Sequence, residues 1–189
     1  DTTVSATSLN TLDANTTGAI NAATITTLTG TVAAVNTAYV SIGITGLGNE
    51  AVTITDTTVS ATSLNTLDAN TTGVINAATI TTLTGTFAEI YAIYISNIAA
   101  TISGLGNENI IATGALTVAQ FNALAANTTG IVTATISNGD MTSLTEITEK
   151  GNALTITIGD SSVTAAALNT VNAATTVNIT ATAVTTISG

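Results

Sequence analysis

DTTVSATSLNTLDANTTGAINAATITTLTGT, residues 1–31, returns at residues 56–86 with Val74 standing where Ala19 stands in the first copy. Near-identity over this length implies recent duplication or a strong demand for interchangeable units, and a fixed period of this size is the mark of a repeat architecture. Two more divergent copies follow. LTVAQFNALAANTTG (residues 116–130) and VTAAALNTVNAATT (residues 163–176) align with VSATSLNTLDANTTG (residues 59–73).

The shared pattern reads as a short helix with a built start. Ser60, Thr117 and Thr164 stand where an N-cap hydroxyl would accept a bond from a free N–H of the first turn. Val59 with Leu64, Leu116 with Phe121 and Val163 with Leu168 have the spacing of a hydrophobic staple, and Thr117 with Gln120 completes a capping box. Leu64 and Leu67 then share a face with Ala61 on the turn before. Asn70-Thr71-Thr72-Gly73 ends the helix, with Gly73 supplying backbone freedom for a chain reversal.

Between these helices lie β-branched runs of period two: Val52 and Ile54, Val132 to Ile136, and Leu154 to Ile158, each alternating with threonine. A second helical stretch is expected from Ile80, Leu83, Phe87, Ile90 and Tyr94, matched by Ile25, Leu28, Val32, Val35 and Tyr39. These are spaced three and four apart over about four turns, with a bend or break at Gly85 and Gly30. The third such stretch is shorter, from Asp140 through Met141, Leu144 and Ile147 to Gly151.

Each 55-residue period therefore holds two strand–helix units, and the later units run about 22 residues. Strands separated by helical crossovers pair in parallel. The expected fold is an α/β solenoid of strand–short-helix repeats with a parallel sheet, leucine-rich-repeat-like in architecture. An all-β solenoid is the alternative, because Thr, Ser and Asn are mediocre helix formers. The whole chain, 1–189, is expected to be one continuous array cut from a longer chain: double repeats at 1–55 and 56–110, and compact divergent units over 111–189.

Composition narrows function. The chain has no His, Cys, Trp, Pro or Arg, and Lys150 is its only basic side chain. General acid–base and nucleophilic catalysis are left with isolated carboxylates, structural zinc and disulfides lack their ligands, and the expectation is a protein that is not an enzyme, without catalytic, cofactor or metal site residues. A net charge of −10 and a pI near 4.1 argue against nucleic acid and anionic lipid as partners. The most apolar run, residues 87–102, is broken by Glu89, Asn97 and Thr101 and falls short of the roughly 20 residues of a membrane helix. Hydrophobic residues make up 45% and charged ones 6%, so solubility rests on Thr, Ser and Asn. No secretory signal is visible at Asp1-Thr2-Thr3, and this start is not expected to be a natural N-terminus.

LNTLDANTTG (9–18), AATITTLTGT (22–31), VAAVNTAYVS (32–41) and GITGLGNEAVTITDT (43–57) resemble repeats in very large cell-surface and exported proteins of marine cyanobacteria and related marine bacteria. The resemblance covers nearly the whole chain, residues 140–152 departing most. It implies a structural or adhesive array located outside the cell or on its surface, and says nothing of an active site.

Several residues invite sharper readings. Outward pairs Thr53/Thr55, Thr133/Thr135, Thr155/Thr157 and Thr180/Thr182 would suit an ice-binding face, but AINAA and VINAA interrupt the row, and a solvated strand face is the plainer reading. Asp13/Asp68, Glu50/Glu108 and Asp56/Asp160 are oxygen donors suited to calcium; lacking a calcium-binding nonapeptide, they read as solubilising or capping acids. Asn15, Asn70, Asn127 and Asn178 match a glycan acceptor triplet, the first three in helix-ending positions. Asn10, Asn65, Asn122 and Asn169 either form an amide ladder between units or face solvent. Lys150 reads as a local ion pair with Glu146 and Glu149. Partners are expected to be further copies of the same repeat, stacked end to end, with a glycan or surface ligand as a further candidate. Both terminal faces are expected to expose unpaired strand edges, and the isolated chain to associate through them.

Overall fold

A computed structural model describes all residues, 1–189. Seven helices alternate with short strands: α1 (Ala6–Ala14), α2 (Val32–Val40), α3 (Ala61–Asn70), α4 (Phe87–Ile98), α5 (Val118–Ala125), α6 (Met141–Leu144) and α7 (Ala165–Ala174). The first strands are β1 (Thr3–Ser5), β2 (Ile20–Asn21), β3 (Thr27–Gly30), β4 (Ile44–Thr45), β5 (Ala51–Ile54), β6 (Thr58–Ser60) and β7 (Ile75–Asn76). They continue as β8 (Thr82–Gly85), β9 (Ile102–Ser103), β10 (Asn109–Leu116), β11 (Val132–Ile136), β12 (Ala153–Thr155), β13 (Ser162–Thr164) and β14 (Thr186–Ser188). The class is mixed α/β with parallel sheets, which corrects the all-β alternative. Capping and burial outweigh the weak helix propensity of Thr, Ser and Asn.

The chain forms two compact units, one of Asp1–Leu83 with Ala92–Leu105, the other of Thr84–Tyr91 with Gly106–Gly189. In the first, a parallel sheet runs in the order β1-β3-β5-β7-β9 and sets Val4, Leu28, Val52, Ile75 and Ile102 side by side. The last four are buried, the expected state of a parallel strand backed by helices. A separate parallel pair joins β2 to β4. Above the sheet, α1 packs on α2 and α2 on α3, burying Leu9, Val35, Leu64 and Leu67.

In the second unit β11 lies between β10 and β12, all parallel, and β13 pairs with β14. The β10 register slips between Ile111 and Ala115, where Gly114 adopts φ +81°, so one strand carries two short pairing stretches around a bulge. Phe121, Leu124, Leu144, Leu154, Ile156 and Val171 form its core. No helix of the structure is long and apolar enough to cross a membrane.

Helix starts follow the sequence closely. Ser60, Thr117 and Thr164 are N-caps of α3, α5 and α7, and Thr117 with Gln120 makes both bonds of a capping box. The expected four-turn helices through Ile80–Tyr94 and Ile25–Tyr39 are corrected. Thr82–Gly85 and Thr27–Gly30 are strands, and the helices begin only at Phe87 and Val32. Leucine between threonines has strand periodicity, and its distance across the glycine to the next helix mimics helical spacing. Only Met141–Leu144 is helical in the third such stretch.

Candidate functional site

The structure concentrates its polar chemistry where one strand–helix segment meets the next, about 24 positions along the chain. Threonine hydroxyls supply much of it. Thr26, Thr81 and Thr185 donate to the carbonyls of Thr2, Thr57 and Ser161 at 3.2, 3.1 and 3.0 Å. Each of these carbonyls also takes the N–H groups of the same threonine and its successor, at 2.8 to 3.0 Å. Thr45 reaches Ile20 O, Thr79 reaches Ile54 O, and Ser103 reaches Ile75 O. A threonine so placed satisfies a carbonyl of the neighbouring segment with its hydroxyl.

The most developed junction joins the Asn-Thr-Thr-Gly loop after α3 to the Gly46–Glu50 turn before β5. Thr72 N and Oγ1 both donate to Gly48 O, at 2.9 and 3.2 Å. Thr71 Oγ1 donates to Glu50 O at 3.2 Å and accepts from Gly73 N at 3.0 Å. The Glu50 side chain, 1% exposed, folds back on its own turn and accepts from Gly48 N at 2.9 Å and Tyr39 Oη at 3.0 Å. Gly46 and Gly48 sit at φ +85° and +133°, left-handed conformations open to glycine, and Gly48 turns its N–H to the carboxylate. Burial pushes the Tyr39 hydroxyl up to about 12, the bond from Thr71 opposing and the Glu50 charge adding to the rise.

The same junction recurs in the second unit. Thr129 N donates to Gly106 O at 2.9 Å, Thr128 Oγ1 to Glu108 O at 2.6 Å, and Glu108, fully buried, accepts from Gly106 N at 2.7 Å. It recurs again with Thr176 N on Asn152 O at 2.8 Å and Thr175 Oγ1 on Leu154 O at 2.8 Å. There Asn152, 5% exposed, takes the place of Gly48 and Gly106 in the bonding, and Leu154 that of the glutamates.

Gly73 has a different purpose from the one its sequence suggests. Its φ is not positive; instead, a Cβ there would overlap the carbonyl of Glu50, as one at Gly130 would overlap that of Glu108.

Five further acids are each engaged singly. Asp56 Oδ2 accepts from Val32 N at 2.7 Å and Asp160 Oδ2 from Met141 N at 2.6 Å. Each thereby caps the first turn of the helix one segment back, as Asn138 Oδ1 does for Val118 N at 2.9 Å. Asp13 and Asp68 accept from Ser41 and Ser96 hydroxyls at 2.6 and 2.8 Å. Asp140 caps α6 through Ser143 N at 2.8 Å, and that bond holds its carboxyl below the ordinary range. No three acids gather as a metal site would require.

The asparagines divide. Asn10 Nδ2 donates from α1 to Ala34 O of α2 at 2.9 Å, and Asn122 Nδ2 from α5 to Glu146 O, just past α6, at 2.9 Å. Asn36, which the repeat comparison missed, does the same to Ser63 O at 3.0 Å. Asn15 and Asn127 bond back to Thr11 and Ala123 carbonyls at helix ends, and Asn70 reaches Asn36 Oδ1. Lys150 lines a cavity of about 470 Å³ with Glu149, Thr128 and Thr129.

The outward strand row of the first unit reads Ser5, Thr29, Thr53, Asn76 and Ser103, mixed in size and chemistry. In the second unit Thr135 pairs with Thr155, but Thr133 pairs with Ala153. Comparison with protein-family models, curated proteins and solved structures finds no match.

Proposed function

We propose that the chain is a non-catalytic structural array, a solenoid of strand–helix repeats belonging to a large extracellular or cell-surface protein and serving as a stalk, fibre or surface-layer element. The observation that supports this most is the use of the side chains. Buried Glu50 and Glu108, the capping acids Asp56 and Asp160, and the threonines at 71, 72, 128, 129, 175 and 176 all bond backbone groups within or between segments. A segment of this size buries too little apolar surface to fold alone and draws its stability from its neighbours. Its partners, on this reading, are further copies of the same repeat stacked end to end.

A glycan array and a thermal-hysteresis assay on the purified chain test the reading against a binding module that uses the threonine-rich strand face. Silence in both is expected. Saturable binding, or ice-growth inhibition lost when Thr53 and Thr135 are changed to Val, would replace it with the adhesive reading.

A further inference from the structure

We infer that the open edge of residues 1–31, formed by β2 and the Thr16-Thr17-Gly18 loop, is a docking surface for one class of partner: a strand–helix segment carrying a Gly-x-Gly-Asn-Glu turn, as residues 31–55 do. The inference rests on the array reading and specifies which of its two segment types belongs there.

The argument is a comparison of a sequence with itself. Residues 56–86 repeat residues 1–31 with one change, so the two faces are chemically the same. In the second copy that face is occupied. β5 pairs with β7 through Val52–Ile75 and Thr53–Asn76, and Val52 N donates to Val74 O at 2.9 Å. Thr72 and Thr71 hold Gly48 O and Glu50 O, and Gly73 leaves room for the Glu50 carbonyl. In the first copy β2 pairs only with β4, and the space beside Gly18 is open apart from Thr16 Oγ1 at 3.7 Å. Leu12 is 53% exposed where Leu67 is buried.

The open face keeps part of the bonding of its occupied counterpart. Thr16 Oγ1 accepts from Gly18 N at 3.1 Å, as Thr71 Oγ1 does from Gly73 N at 3.0 Å. This one loop bond is therefore kept without a partner, although α1 ends at Ala14 where α3 runs on to Asn70. The other Thr-Thr loops each meet the turn ahead of a strand, and two of the three turns, 46–50 and 104–108, are Gly-x-Gly-Asn-Glu: Thr72 bonds Gly48 and Thr129 bonds Gly106, while Thr176 bonds Asn152 in a Lys-Gly-Asn turn. Segments of the Thr-Thr type, such as that of α7, offer no such turn. A second copy of this chain, presenting its α7 segment, is therefore the wrong occupant, and a segment like 31–55 is the right one.

The test repeats residues 31–55 ahead of Asp1, a junction the chain already contains at Thr55–Asp56, and measures native-state hydrogen exchange. The Thr17 amide should slow by about 100-fold or more, toward the rate of Thr72, while a chain carrying residues 165–189 at the same place should leave Thr17 fast. Slowing by both additions would overturn the selectivity, and slowing by neither would overturn the docking surface. The array reading is judged separately in the unextended chain, where the Thr72, Thr129 and Thr176 amides should all be protected. Protection there with no gain at Thr17 sinks the inference alone.

Discussion

Gly18 and Gly73 end the same tetrapeptide, Asn-Thr-Thr-Gly, yet alanine should be tolerated at one and rejected at the other. Neither glycine has a positive φ, so backbone strain does not separate them. At Gly73 a Cβ would overlap the carbonyl carbon and oxygen of Glu50 and stand 2.9 Å from Asn49 O. These are backbone atoms of a turn fixed by Thr71, Thr72 and the buried Glu50 carboxylate, so the overlap is relieved only by parting the two segments. Overpacking of this kind costs about 1–3 kcal/mol, and weakening the Thr71 and Thr72 bonds adds about 1 kcal/mol. At Gly18 the new methyl meets only a hydroxyl at 3.7 Å, and the smaller entropy of the unfolded chain should leave Gly18→Ala unchanged or about 0.5 kcal/mol more stable. Gly130→Ala should resemble Gly73→Ala. Thermal unfolding followed by circular dichroism should separate Gly18→Ala from Gly73→Ala by about 4–18 °C, taking about 2–4 °C per kcal/mol for a chain of this length. Equal melting temperatures for the two variants would refute the close-approach argument.

The Tyr39 hydroxyl is raised in the folded state, so the fold retains its proton at a pH where the unfolded chain has lost it. Stability conferred by Tyr39 is therefore full below pH 10 and declines as pH rises toward 12. Discounted for its partial exposure, the loss should be about 1 kcal/mol, visible in alkaline unfolding curves and absent in Tyr39→Phe. Asp56→Ala should cost about 1–1.5 kcal/mol by leaving the Val32 N–H without its acceptor, whereas Asp56→Asn should stay within about 0.5 kcal/mol. Asn138 already performs that role for α5, and urea titration of the two variants decides the point. Chelation by EDTA should shift the melting temperature by no more than a degree or two; a fall of about 10 °C would mean that a bound ion stabilises the fold and that the acids are its ligands.

What was legible in the sequence was local. The caps at Ser60, Thr117 and Thr164 lie within one helical turn of the groups they satisfy, and Val132–Ile136 alternates cleanly enough to fix a strand. The junction chemistry was illegible because its partners lie some two dozen residues away. Asp56 caps a helix that began 24 positions earlier, and nothing beside Asp56 indicates that helix. Glu50 and Glu108 read as turn acids, yet both are buried. The signal available was their shared Gly-Leu-Gly-Asn-Glu context, in which two glycines signify an unusual backbone and so a reason to fold the carboxylate inward. Gly73 was assigned to a chain reversal because sequence reports that a side chain is missing without saying what occupies its space. The Leu28 and Leu83 strands were misassigned because two elements meeting at a glycine reproduced helical spacing.

The array reading is tested most directly by lengthening the molecule. Residues 1–55 can be duplicated ahead of Asp56 without a foreign junction, since Thr55 already precedes an Asp-Thr-Thr-Val sequence at that point. A solenoid adds two strand spacings per 55-residue copy, about 10 Å, at constant cross-section. Small-angle X-ray scattering of chains with zero, one and two added copies should therefore show a maximum dimension growing by at least that amount per copy, with the cross-sectional radius fixed and the melting temperature undiminished. A dimension that stays constant, or added copies that remain unfolded, would contradict it.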